Sequence, residues 1–298
     1  MSSFRSAALI VNARSRRGER LFEKARSALA AAPFPVEAFA VEHPSRLEAT
    51  VRTALDRGHQ LIVLGGGDGT ISGLVDVMVG TDAVLGVLPL GTANSFARTL
   101  GLPLDIAGAV DAIVHGERKR IDLGMIDGDY FANCAAIGLA PQIAQSVPHG
   151  LKKWLGRVGY LAWAAWEFLA FRPFTLVVGD GAEAQRLKVV EVRISNGRFH
   201  GGTELIDDAR LDSGEIVVQA VRGHARRRLL KNWLASIAGH KSRHDDTIDF
   251  HARELHIATD PPLPISIDGE VLARTPVVAK AAVGVIEVMV PRGSAPAR

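Results

Sequence analysis

The stretch LIVLGGGDGTISGLV, residues 61–75, decides the fold more than any other part of this sequence. Its four leading apolar residues indicate a buried strand, and the glycine-rich segment after them passes directly into an amphipathic run typical of a helix. Glycines let backbone N–H groups approach a ligand closely. Because a helix N-terminus also carries partial positive charge, the junction of this strand and helix is a predicted phosphate site.

Asp68 narrows the choice of ligand. It stands among Gly65, Gly66, Gly67 and Gly69, a spacing that matches neither the dinucleotide fingerprint nor the Walker A motif. A carboxylate would repel phosphate unless a metal or hydrogen bonds intervene. The loop therefore predicts a magnesium-nucleotide rather than a bare phosphate; the alternative is a tight turn without a ligand.

The patterning around this stretch indicates two kinds of architecture. As far as about residue 120, apolar strands alternate with helical patterns, which indicates βαβ units and a parallel sheet. After that point short β-patterned pieces are separated by Gly, Asp and Pro, and Asp-Gly pairs indicate hairpins. We predict an N-terminal α/β domain over 1–122 and a mostly antiparallel β-sandwich over 123–275, with helices at about 149–171 and 224–239.

The composition excludes several classes of protein. Of 298 residues, 47% are hydrophobic and 22% charged, and a net charge of +3 is too small to indicate a nucleic-acid partner. A single cysteine, Cys134, indicates a reducing compartment. The apolar run at Ala7–Val11 is too short for a secretory signal, and the run at 158–171 is too short to span a bilayer. We therefore expect a cytoplasmic protein.

Two further strand ends carry candidate ligand-binding loops. LPLGTANSFAR, residues 88–98, repeats the strand, glycine turn and helix arrangement. In VNARSRRG, residues 11–18, Asn12 and Ser15 are able to hydrogen-bond a nucleotide. Ligands of open α/β sheets bind at the carboxyl ends of the strands, so all three loops are expected at one edge.

Four motifs together resemble the catalytic-domain family of diacylglycerol kinases, which includes soluble bacterial lipid kinases and is related to sphingosine and ceramide kinases. They are GGGDGT at 65–70, PLGTANSFAR at 89–98, SNGRFHGGTELIDDARLDSGEIVV at 195–218 and ISIDGE at 265–270. The resemblance implies a Rossmann-like N-terminal domain, a C-terminal β-sandwich domain and ATP in the cleft between them. It also implies that the last segment, about 276–298, returns to the first domain.

The resemblance implies roles for particular residues. Gly66 to Thr70 would hold the triphosphate, and Asp68 would be catalytic by organising the magnesium-nucleotide. In the second loop the implied nucleotide and metal contacts are Gly91, Thr92 and Asn94. Glu270 takes the place of the catalytic base, and Asp268 would meet the substrate, hold a metal or orient Glu270.

The turn RLDSGE at 210–215 takes the place of a structural magnesium site in the family. Its candidate ligands here are Arg210, Asp212, Ser213 and Glu215. Ser213 stands where the family usually has an aspartate, and a hydroxyl is a weaker ligand for a hard cation; Asp212 or Asp207 could substitute. A second departure is Ser95, again at a usual aspartate position.

The expected function is that of an ATP-dependent lipid kinase acting on diacylglycerol or a related lipid at a transient membrane contact. Basic and aromatic residues at 149–168 and 222–233 suit an anionic bilayer surface, although for the tryptophans the favoured interpretation is core packing between helix and sheet, with the basic ends as ordinary surface. Two alternatives stay open: an enzyme like NAD kinase, which shares the glycine loop, and a non-catalytic relative that binds lipid or nucleotide.

Overall fold

The computed structural model describes residues 4–138, 172–222 and 247–293. The helices expected at 149–171 and 224–239 lie outside the described residues. Within them, no helix is both long and apolar enough to cross a bilayer.

The N-terminal part is a parallel sheet with the strand order β2–β1–β3–β4. A 3₁₀ turn, Pro44–Arg46, precedes the second helix. The elements of this part are β1 Ala7–Asn12, α1 Arg16–Leu29, β2 Val36–Val41, α2 Leu47–Asp56, β3 Leu61–Gly66, α3 Asp68–Met78, β4 Val84–Pro89, α4 Ser95–Thr99 and α5 Ile106–His115.

Helices cover both faces of this sheet, which is why β1, β3 and β4 are continuous apolar runs without alternation. On one face Leu29 of α1 and Ile113 of α5 pack in one core cluster. On the other face Val51 of α2 and Val75 of α3 pack in a second cluster.

The C-terminal part is antiparallel. It has its own apolar cluster, which includes Ile137, Val192 and Ile265. The described strands are β5 Glu117–Ile126, β6 Asp129–Phe131, β7 Cys134–Gly138, β8 Phe174–Val178, β9 Gln185–Ser195, β10 Phe199–His200, β11 Thr203–Glu204, β12 Ile216–Arg222, β13 Thr247–Ala252, β14 Glu254–Asp260, β15 Pro264–Ile267, β16 Glu270–Arg274 and β17 Val277–Val290.

The last strand, β17, connects the two parts. It pairs in parallel with β4 at Val288 and Leu85, and antiparallel with β5 and β14. The described strands other than β10 and β11 thus form one continuous 15-stranded sheet. The predicted combination of a parallel α/β part and an antiparallel β part is confirmed, whereas the predicted domain boundary at residue 122, which falls inside β5, stays a prediction.

Candidate functional site

The glycine loop and the second loop meet at the carboxyl ends of β3 and β4. Gly66 and Pro89 are register partners, and the Leu90 N–H donates to the Gly66 carbonyl oxygen at 2.9 Å. Beyond them Gly91 lies against Gly67, so closely that a Cβ on Gly91 would come within 2.5 Å of the Gly67 Cα. Only glycine permits this approach, and the two loops therefore form a single site.

The glycine loop has the geometry of a phosphate-binding turn. Helix α3 begins at Asp68 with Gly67 as its N-cap, and no side chain caps it. A Cβ on Gly66 would collide with the Thr70 side chain at 2.5–2.8 Å, while the space beside Gly69 is open to at least 4 Å. An uncapped helix N-terminus with a glycine backbone suits an anionic group.

Asp68 spans the two loops. Its half-buried carboxylate accepts a hydrogen bond from the Phe96 N–H at the start of α4, at 3.2 Å. No group of three or more His, Cys, Asp or Glu side chains that could hold a metal occurs within 4–138, 172–222 and 247–293. A magnesium ion beside Asp68 would therefore take its other oxygens from a nucleotide and water, which is how this ion is commonly bound.

The second loop is shaped by Asn94. Its backbone is left-handed, with φ 50°, and its buried side chain accepts from the Gly91 N–H at 2.9 Å and donates to the Gly91 carbonyl at 3.1 Å. Thr92 is exposed at the tip. Asn94 thus fixes the loop that presents Gly91 and Thr92, and its own predicted contact with the nucleotide stays a prediction.

In the first loop both predicted side chains support the turn. Ser15 is the N-cap of α1 and accepts from the Gly18 N–H at 3.1 Å. The Asn12 Oδ1 accepts from the Arg14 N–H at 3.3 Å. These bonds fix the backbone at the end of β1, and contact of either residue with a nucleotide stays a prediction.

Glu270 is presented by a two-residue hairpin. Ile267 and Glu270 are register partners in β15 and β16, and the residues between them, Asp268 and Gly269, have φ angles of 45° and 99°. Positive φ at both central residues is the type I′ geometry that Asp-Gly favours. The exposed Glu270 side chain follows at once, so its carboxylate is accessible to a reacting group.

Asp268 links this hairpin to the glycine-loop helix. Its carboxylate accepts a short hydrogen bond from the Ser72 hydroxyl on α3, and it also accepts from the N–H groups of Ala132, Asn133 and Cys134 at 3.0–3.4 Å. Burial raises the pKa of Asp268, against these hydrogen bonds, which lower it. With four donors from the protein on it, Asp268 is better placed to position Glu270 than to bind a substrate.

Replacing Asp268 by asparagine should destabilise the protein by about 2–3 kcal/mol, because an amide leaves buried N–H donors without an acceptor. Ser72→Ala, which removes one donor, should cost about 1 kcal/mol. Urea denaturation measures both. Asp127→Asn is the matched control, because Asp127 is the exposed first residue of a second Asp-Gly hairpin with positive φ at both positions; equal losses in the two aspartate variants would contradict the positioning role.

Two polar residues that make long-range hydrogen bonds, Ser72 and Asp122, were not among the residues predicted from the sequence. Ser72 resembles any polar residue in a helix, and only its contact with Asp268 gives it importance. The buried Asp122 accepts from the N–H groups of Gly214 and Gly284 at 2.7 and 2.8 Å. The sequence does mark Asp122 in one way, because it is the one acidic residue in the apolar second half of β5.

His200 belongs to the β10–β11 hairpin, which lies beside the second loop. Its hairpin is tied to that loop because the Gly202 N–H donates to the Ser95 hydroxyl at 3.0 Å. Interaction with Cys134, through charge and a hydrogen bond, raises the pKa of His200 to about 9 despite burial. The family's usual acid at position 95 is thus replaced by a hydroxyl that joins the loop to this hairpin.

Comparison with known proteins follows the same division of the chain. Residues 6–126 match the diacylglycerol kinase catalytic domain, and residues 135–290 match the YegS C-terminal NAD kinase beta sandwich-like domain. Proteins named diacylglycerol kinase from Staphylococcus epidermidis and Staphylococcus haemolyticus are 26% and 27% identical over 264 residues. These matches cover 82% of this chain and 78% and 75% of the relatives.

Solved structures support the fold. A crystal structure of a diacylglycerol kinase from Bacillus anthracis strain Sterne superposes with a TM-score of 0.74 at 22% identity, covering 97% of this chain and 98% of that one. A second structure from the same organism gives a TM-score of 0.77 at 21% identity, with the same coverage. At this identity the similarity concerns the fold alone.

Proposed function

The chain belongs to the diacylglycerol kinase family, and from that membership we propose that it transfers the γ-phosphoryl group of ATP to a hydroxyl group of diacylglycerol or a related lipid. The observation that supports this most is the bond between Asp268 and Ser72. It connects the hairpin that carries Glu270 to helix α3, which begins within the glycine loop. The base proposed for the acceptor hydroxyl and the proposed phosphate site therefore lie on directly bonded elements.

The two glycine-rich loops would bind ATP, the phosphoryl donor. We infer that the triphosphate of ATP lies against Gly66–Thr70 and the loop that Asn94 shapes. Magnesium bound with the nucleotide and Asp68 would supply positive charge that offsets the charge on the transferred group. Positioning and charge neutralisation are the main requirements of phosphoryl transfer, and a backbone-lined loop at a helix N-terminus suits both.

Glu270 would act as the general base on the lipid hydroxyl, the phosphoryl acceptor. As the lipid hydroxyl oxygen bonds to the γ-phosphorus, the bond from that phosphorus to the bridging oxygen breaks and its electron pair leaves with ADP. The proton of the hydroxyl passes to the carboxylate of Glu270, whose side chain is exposed. Asp268 acts through the turn by holding Glu270 in place.

A lipid acceptor requires contact with a bilayer surface, and we propose a peripheral, transient contact. Its candidate segments at 149–168 and 222–233 lie almost wholly outside the described residues, so their role stays a prediction. The proposal requires no nucleic-acid partner.

Incubation with radiolabelled ATP tests the function. With magnesium and diacylglycerol vesicles, the protein should produce a labelled phospholipid that migrates with phosphatidate, and with NAD it should produce no labelled nucleotide. Glu270→Gln protein is the control for a contaminating kinase. Label in NADP alone would favour the NAD-kinase alternative, and no label in any lipid of a broad hydroxyl-lipid panel would favour the non-catalytic one.

A further inference from the structure

We propose that the turn at residues 210–215 holds no divalent cation, and that the Ser213 hydroxyl and the Lys119 ammonium group replace one. The family resemblance implies a structural magnesium ion at this turn. The donor set in the structure does not fit such an ion. This inference concerns the stability of the turn and does not depend on the catalytic proposal.

Ser213 occupies the centre of the turn. Its Oγ lies 3.1 Å from the Arg210 carbonyl oxygen and 3.2 Å from the Glu215 carbonyl oxygen, and its hydrogen can be donated to either. The Glu215 N–H donates back to the same Oγ at 3.3 Å. Backbone carbonyl oxygens are common ligands of hard cations. Here the two carbonyl oxygens lie within hydrogen-bond distance of the Ser213 hydroxyl instead, and this contact holds the turn together.

Asp212 is the one carboxylate of the turn with a direct charge partner on each oxygen. Lys119 Nζ lies 2.8 Å from its Oδ2, and Arg210 Nε lies 3.3 Å from its Oδ1. The positive charge that a metal would bring is therefore already supplied by the protein. A cation entering the turn would have to displace one of these groups and would meet the repulsion of the other.

The backbone around the turn is also held by a carboxylate rather than by an ion. Asp122, buried in β5, accepts from the Gly214 N–H, and its second oxygen accepts from the Gly284 N–H in β17. Both oxygens of Asp122 are thus engaged by protein N–H groups, and the backbone at Gly214 is fixed without an ion. Asp207, the other candidate ligand, is exposed on a separate turn.

Thermal unfolding of the nucleotide-free protein tests the proposal. It is measured in the Asp68→Asn background, so that a metal at the nucleotide site does not contribute. The Tm should agree within about 1 °C between millimolar MgCl₂ and EDTA, and Ser213→Ala should lower the Tm by about 2 °C in both media. A Tm that is about 3 °C or more higher in MgCl₂ would overturn the proposal, as would one bound metal ion per chain by mass spectrometry.

A gain-of-site variant tests whether Ser213 and Lys119 are the replacing groups. Ser213→Asp combined with Lys119→Ala returns a carboxylate to the turn and removes the ammonium group, so MgCl₂ should raise its Tm by about 3 °C or more. The matched control is Ser27→Asp with Lys24→Ala, which makes the same charge change on the exposed side of α1 and should give no magnesium response. A double variant that is equally insensitive would refute the assignment of these two residues.

Discussion

Glu270→Gln should lower kcat for lipid phosphorylation by about 10²–10⁴-fold, the usual contribution of a general base, and leave the fold intact. Glutamine has the same shape as glutamate but accepts no proton at neutral pH. The side chain is exposed at the start of β16, so no packing is lost. The rate is measured with radiolabelled ATP and diacylglycerol vesicles, and the Tm is measured on the same preparation.

Nucleotide binding separates loss of the base from loss of the site. A non-hydrolysable ATP analogue with magnesium should bind Glu270→Gln as it binds the unmodified protein. The matched control is Glu117→Gln, an exposed glutamate at the first position of β5, which should keep full activity. Unchanged turnover in a folded Glu270→Gln protein would remove Glu270 as the base.

Asp68→Asn should lower kcat by about 10²–10³-fold and also weaken the binding of the magnesium-nucleotide, the pattern expected when a charge-stabilising group is lost. The amide oxygen of asparagine can still accept from the Phe96 N–H, so the contact between the loops survives and only the charge is lost. Titration calorimetry of the ATP analogue, with and without magnesium, measures the binding effect.

Asp82→Asn supplies the control for the loss of a carboxylate in this part of the chain, because Asp82 is exposed in the turn before β4. It should match the unmodified protein in rate and in nucleotide affinity. Together the two site variants should differ in kind: Glu270→Gln loses turnover alone, and Asp68→Asn loses binding as well. An Asp68→Asn protein with normal magnesium-dependent affinity would exclude Asp68 from the metal site.

Local geometry was predictable from the sequence because it is set by neighbouring residues. The glycine run at 65–69 requires a close approach of backbone. Two of the four Asp-Gly pairs, at 127–128 and 268–269, adopt the positive φ angles of tight hairpin turns. The alternation of strand and helix predicted the parallel sheet for a similar reason, since each pattern reports which faces are buried.

The connections between distant residues were not predictable in this way. Hydrophobic periodicity does not pair Ser72 with Asp268, or Asp122 with Gly214 and Gly284, because these bonds depend on how the two parts of the fold pack. Ser213 illustrates the limit most clearly. Its departure from the family pattern was visible, but Lys119 lies on β5, far from the turn in the sequence, and its ion pair with Asp212 is apparent only in three dimensions.

Strand β17 has a consequence for how the protein is made. Its partner β4 is synthesised early, yet β17, which pairs with the open side of β4, follows all the other described strands. While the nascent chain is still on the ribosome, β4 presents a bare apolar edge of the kind that promotes aggregation. Prematurely terminated chains lacking β17 should therefore be insoluble substrates for chaperones and proteases, even though they contain every glycine-loop residue.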